Sequence, residues 1–84
     1  MEKRVSEDFD IALGAVMRKY RVAKGYSTED VGTVLGCSKQ MISLYELGKN
    51  SIAVSQLKKV GILYGVSYAD LIREACEMIG EIIA

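Results

Sequence analysis

The sequence predicts a small all-α protein of five helices. Three observations carry that expectation. No proline occurs in 84 residues, and only 7% of them are aromatic. Apolar residues recur at spacings of three and four rather than two, which is the period of a helix packed on one face. Glycines and serines stand at the intervals where one amphipathic segment would stop and the next begin. The length suffices for one domain, residues 1–84, with one modest core.

Helix 1 is expected over about 9–24, where Phe9, Leu13, Val16, Met17 and Tyr20 share one stripe and Gly25 follows as a left-handed cap. Helix 2 begins after Ser27. The stretch Ser27-Thr28-Glu29-Asp30 has the capping-box pattern, with Val31, Val34 and Leu35 directed inward and Gly36 as the stop. A helix this short is unstable alone and must be docked. Helix 3 follows a three-residue turn, Gly36-Cys37-Ser38, with Ser38 as N-cap, and runs to about Leu47 before Gly48. Either Met41 or Ile42, with Tyr45, faces the core; Lys39, Gln40, Ser43 and Leu44 fall on the other side. Two short helices joined by a tight glycine turn form a helix-turn-helix unit. Helix 4 is expected over about 54–64, with Leu57, Val60 and either Leu63 or Tyr64 inward and Gly65 as the stop.

Helix 5 opens on the capping pattern Ser67 to Asp70 and is expected over about 68–83. Asp70, Arg73, Glu74, Glu77 and Glu81 mark a polar stripe. Opposite lie two apolar rows: Leu71, Ala75, Met78, Ile82, and Ile72, Cys76, Ile79, Ile83. One row closes the core. A second row gives a face wider than one small domain needs, so Ala75, Met78, Ile79, Ile82 and Ile83 are expected to contact a second copy in a symmetric dimer. The competing expectation is that helix 5 only wraps the core. Gly80 weakens the last turn locally.

Half the residues are apolar and 26% are charged, the balance of a globular chain. No run of about 18 apolar residues exists to span a membrane, and the first ten residues are too charged for a signal peptide; the expected location is the cytoplasm. Histidine is absent, and Cys37 and Cys76 are far apart, so no metal site is expected and both thiols are read as reduced and mostly buried. No phosphate loop or catalytic pair is present, so no enzyme and no cofactor is expected. Net charge is zero, but residues 16–50 carry a net +3, flanked by −2 before and −1 after. A local basic segment is enough to attract phosphates, because screening confines the interaction to about 8 Å at physiological salt.

With Arg21 near the end of helix 1, Gly25-Tyr26-Ser27, Gly32 within helix 2, Gly36 in the turn, Ile42, Glu46-Leu47-Gly48-Lys49, and Tyr64-Gly65-Val66-Ser67 followed by Leu71, the chain resembles the phage-repressor family of helix-turn-helix DNA-binding proteins (Cro-like, XRE type) over about residues 13–72. The resemblance implies a compact five-helix lambda-repressor-like domain with helices 2 and 3 as the helix-turn-helix. It further implies that Glu46 pairs with Arg21, tying helix 3 to helix 1. Gly32 is expected to be small because helix 3 crosses over it, and Gly36 because a side chain there would clash. The chain departs from the family pattern at Thr28, where glutamine is usual, at Leu44 and Leu47, and at Ile52-Ala53.

The expected function is that of a sequence-specific double-stranded DNA-binding transcriptional regulator, repressor-like and of phage or mobile-element type, bound as a dimer to a near-palindromic operator. Helix 3 in a major groove would present Lys39 to guanine, Gln40 to adenine, Leu44 to a thymine methyl, and Ser43 to either kind of partner. Helix N-termini with Ser27, Thr28 and Ser38 beside them, together with Lys49, Asn50 and Arg18, would hold phosphates. The alternative is a protein-binding module on the same fold, an antirepressor or accessory subunit regulated through a protein partner.

Overall fold

The computed structural model describes residues 2–80, with side chains described from residue 8 onward. Five helices, and no strand among the described residues, follow in order: α1 (Glu2–Lys24), α2 (Thr28–Leu35), α3 (Lys39–Glu46), α4 (Val54–Tyr64) and α5 (Tyr68–Met78). None of them is long and apolar enough to cross a membrane.

Sequence chemistry at the ends sets most of these boundaries. Ser27 accepts a hydrogen bond from the Asp30 amide at 3.0 Å, while its own amide donates to the Asp30 carboxylate at 2.9 Å. Both halves of the capping box therefore form, satisfying amides that a helix start otherwise leaves open. The Ser38 hydroxyl accepts from the Met41 amide at 3.1 Å. Gly36 closes α2 at φ +73°, with nothing within 4 Å of where a Cβ would stand. A clash is thus not the reason for glycine there; the left-handed backbone is.

The core is one cluster. Leu13, Val16 and Met17 of α1, Val31 and Leu35 of α2, Ile42 of α3, Leu57, Val60 and Tyr64 of α4, and Leu71 and Ala75 of α5 are all buried. Between the paired options, Ile42 is the fully buried residue on α3 and Tyr64 on α4, while Met41 and Leu63 are half-buried. α5 lies along α1 and is clamped there by Glu74, which accepts from Lys19 at 2.6 Å and from the Tyr20 hydroxyl. Across the other side of the core, the Gln56 side chain of α4 donates to the Leu35 carbonyl at 3.0 Å, capping the end of α2.

Five further expectations are corrected. α1 begins at Glu2 rather than near residue 9. Val34 is 48% exposed rather than inward. Val31 and Leu35 point to the core and Gly32 to the turn, which rotates position 34 outward. Gly32 is crowded by the turn itself, not by the body of α3: an added Cβ would stand 2.7 Å from the Cys37 carbonyl oxygen. α5 stops at Met78, with Gly80 at φ +74° reversing the backbone, instead of continuing to about 83. Ala75 is fully buried in this chain's own core and has no surface left for a second copy. Of the other residues expected at a dimer contact, Met78 is 60% exposed and Ile79 half-buried, while Ile82 and Ile83 lie outside the described residues. Cys76 is buried and Cys37 half-buried.

Candidate nucleic-acid interface

α3 is fixed at one end and open at the other. Ile42 anchors its middle with no exposed surface. At its C-terminal end, Gly14 of α1 lets the two backbones touch: a Cβ on residue 14 would stand 2.3 Å from the Tyr45 carbonyl oxygen. Glu46, the last helical residue, is held by Arg21. The guanidinium Nε donates to one carboxylate oxygen at 2.6 Å and Nη2 to the other at 3.0 Å, while Nη1 donates to the Tyr26 carbonyl at 2.8 Å. The two side chains are only 13% and 6% exposed. The expected partly buried structural pair is therefore present, and it also ties down the turn between α1 and α2. The Glu46 carboxylate in hydrogen-bond contact holds the Arg21 guanidinium above its ordinary pKa.

At the free end, Lys39, Gln40 and Ser43 are exposed and Leu44 half-buried, on one side of α3. Leu47, the C-cap, extends the same side and is 60% exposed. Lys39 occupies the first helical position, and the first turn of α3 holds no acidic residue. A positive side chain there opposes the positive end of the helix dipole, an arrangement that a bound anion relieves. Ser27 and Ser38 use their hydroxyl oxygens to accept from their own helices. Each keeps its hydroxyl proton to donate outward. Thr28 is half-buried at the start of α2.

The segment after α3 folds back on it. The amides of Lys49 and Asn50 both donate to the Leu44 carbonyl, at 3.0 and 3.4 Å, and the Asn50 side chain donates to the Met41 sulfur at 3.7 Å. Lys49 and Asn50 are exposed and are brought beside the reading helix. Arg18 is exposed on α1. It stands on the outer side of α1 with Ala15, Lys19 and Val22.

Sequence reasoning did not single out Gly14, Glu74 or Gln56. Gly14 alone carried a signal, as a glycine in mid-helix with no turn to explain it.

The helix-turn-helix family model matches residues 17–71, which spans α2, the turn, α3 and α4. The chain belongs to the helix-turn-helix family of transcriptional regulators, of the XRE type. It is 30% identical over 73 residues to an uncharacterized HTH-type transcriptional regulator of Sinorhizobium medicae (strain WSM419), covering 87% of this chain and 52% of that protein. A regulator of Rhizobium meliloti (strain 1021) with the same kind of name matches equally. The chain thus spans about half the length of these curated relatives. Among solved structures it is similar to the clp gene regulator ClgR from Corynebacterium glutamicum, with a TM-score of 0.80, 28% identity, and coverage of 86% of this chain and 77% of that one. It is also similar to the hypothetical transcription factor NHTF from Neisseria, with a TM-score of 0.73, 28% identity, and coverage of 89% and 86%.

Proposed function

We propose that this chain is the DNA-reading unit of a transcriptional regulator, sequence-specific for double-stranded DNA, with α3 lying in a major groove. The observation that carries the proposal is the asymmetry of α3. Its C-terminal end is bolted to α1 through Arg21, Glu46 and the Gly14 contact, while its N-terminal turn presents Lys39, Gln40 and Ser43 to solvent. A helix that must hold polar side chains at fixed positions against base edges needs such a mount.

Lys39, Gln40, Ser43 and Leu44 are the base-reading residues in this reading. Ser27, Thr28, Ser38, Lys49 and Asn50, with the N-terminal amides of α2 and α3, hold the flanking phosphates. The protein acts in the cytoplasm as a repressor of phage or mobile-element type, two copies occupying a near-palindromic operator with half-sites about one helical turn apart.

The test is selection of bound duplexes from a random pool, followed by affinity of the selected and a scrambled duplex over a range of salt. The expected result is a preference of at least about a thousandfold for the selected site, and a linear fall of log K with log salt. Equal affinity for the two duplexes would overturn the proposal. It would favour the reading of α3 as a protein-docking helix, for which the exposed Leu47 beside Leu44 is the supporting observation.

A further inference from the structure

α1 has a second apolar stripe that the core leaves largely uncovered, with the backbone at Gly48 approaching it at Ile11. The core takes Leu13, Val16, Met17 and half-buried Tyr20. On a different side of the same helix, Ile11 is 53% and Val22 58% exposed, with Ala15 exposed between them. Residues at these spacings share one face. Two shallow grooves run along that face and meet at Ala15. One is bordered by Asp8, Ile11, Ala12, Ala15, Met78 and Ile79, the other by Ala15, Arg18, Lys19, Val22 and Ala23. The exposed end of α5, Met78, therefore extends the stripe sideways. A contiguous apolar strip with a polar rim marks a contact surface.

The charges along the strip select its occupant. Asp8 stands near one end and Arg18 ten residues further on, both exposed, a separation of roughly 15 Å along the helix axis. A twofold axis crossing α1 near residue 13 would lay a second α1 antiparallel on the first. Asp8 of each copy then meets Arg18 of the other, and Ile11 meets Ala15. The small, exposed side chain of Ala15 at the crossing lets the two helices approach within the usual packing distance of about 8–10 Å, while Ala12 beside it belongs to the core. One strip thus supplies both halves of a self-complementary contact, as an isologous interface requires.

We infer that the outer face of α1, with Met78 and Ile79 of α5, is where a second copy of this chain docks, antiparallel on a twofold axis. The inference rests on the proposed dimeric binding of a near-palindrome, and it moves the main contact from the tail of α5 to α1. In this arrangement Arg18 serves the protein interface and not a phosphate.

The test is sedimentation equilibrium of the full chain across the micromolar range. The wild-type chain is expected to dimerise. Ala15→Glu places a charge at the crossing and is expected to give a monomer with unchanged helicity and a melting temperature that no longer rises with protein concentration. Asp8→Arg and Arg18→Asp are each expected to weaken the dimer about tenfold or more, and the two together to restore it. A monomeric wild-type chain, a dimer untouched by Ala15→Glu, or a double variant no tighter than the singles would overturn the inference. Binding to a single half-site duplex separates this outcome from the DNA reading. Equal half-site affinity of wild type and Ala15→Glu, with the dimer lost, supports the interface. No half-site binding by either overturns the DNA reading alone, since sedimentation decides the interface without DNA.

Discussion

Arg21 and Glu46 meet face to face between α1 and α3, with both carboxylate oxygens engaged at 2.6 and 3.0 Å and the remaining guanidinium nitrogen on the Tyr26 carbonyl at 2.8 Å. The pair is two-pronged and largely shielded, so it differs from an exposed ion pair, which contributes under about 1 kcal/mol. Removing one partner leaves the other desolvated and unpaired. Glu46→Ala is expected to cost about 3 kcal/mol. A double-mutant cycle with Arg21→Ala should give a coupling above about 1 kcal/mol in denaturant unfolding, and a value below about 0.3 kcal/mol would reject a structural role.

Tyr64 lies against the same group and has the opposite character. Its ring is buried and stacks on Tyr26 at 6.2 Å, and its hydroxyl has no hydrogen-bond partner among the described residues. Burial, with the Glu46 charge adding to it, pushes the phenol up to about 12. Deleting an unsatisfied buried hydroxyl removes a desolvation cost without removing packing. Tyr64→Phe is expected to leave stability unchanged or raise it by up to about 1 kcal/mol. The sign at high pH follows from the raised value: the stability linked to Tyr64 is full below its ordinary pKa of 10.0 and is lost as pH rises through about 12. Comparing the alkaline unfolding limbs of the two proteins checks both points, and a loss above about 1 kcal/mol at neutral pH would show that the hydroxyl is bonded.

The helix-turn-helix was legible in the sequence because its boundaries are written in short-range chemistry. Ser27 with Asp30, Ser38 and Gly36 each act within a few residues of themselves, and α2 and α3 begin and end where those residues place them. The start of α1 was missed for the converse reason. Residues 2–8 contain good helix formers but little apolar periodicity and no cap. The candidate reading residues were legible as an outward face. Glu74 looked like one more carboxylate on a solvated stripe. Only the docking of α5 on α1 brings Lys19 and Tyr20 to it.

The crossing of α1 over α3 is set by Gly14. Alanine in mid-helix ordinarily stabilises by up to about 1 kcal/mol relative to glycine. At residue 14 the added Cβ would stand 2.3 Å from the Tyr45 carbonyl oxygen and 2.5 Å from that of Glu46, both backbone atoms. Gly14→Ala is therefore expected to destabilise by at least about 2 kcal/mol. Gly36→Ala meets no neighbour and bears only the left-handed backbone, about 1–2 kcal/mol. Thermal unfolding of the two variants ranks them; a Gly14→Ala variant as stable as wild type would show that the two helices have room to separate.

Glu74 makes the docking of α5 sensitive to acid. The hydrogen bond from Lys19, then that from Tyr20, hold its carboxyl below the ordinary value of 4.5. A lowered carboxyl contributes stability that is present above its ordinary pKa and is lost as pH falls through the folded value. Glu74→Gln is expected to be less stable than wild type at neutral pH, by about 1 kcal/mol. The gap should shrink as pH falls below 4.5 and close once the lowered carboxyl is protonated. A gap that persists unchanged into acid would show that shape, not charge, holds α5 in place.

The two roles assigned around α3 separate in DNA binding. Gln40 stands exposed in the first turn of α3, and its side-chain amide can accept at the oxygen and donate at the nitrogen, the chemistry that reads adenine bidentately. Gln40→Ala is expected to weaken the selected site by about 1–3 kcal/mol and to relax preference at one base pair, leaving the scrambled duplex almost unaffected. Lys49 lies past the helix end, its amide tied to the Leu44 carbonyl at 3.0 Å and its side chain exposed. In the proposed reading a cation there meets backbone phosphate and no base. Lys49→Ala is expected to weaken all duplexes alike and to lower the salt slope by about one unit. Titrating each variant against the selected and scrambled duplexes at several salt concentrations distinguishes the two. If Gln40→Ala lowered both affinities together, Gln40 would be a positioning residue. If Lys49→Ala left the slope unchanged, its charge would lie outside the phosphate contacts, and the helix N-termini with Ser27 and Ser38 would have to account for the salt dependence.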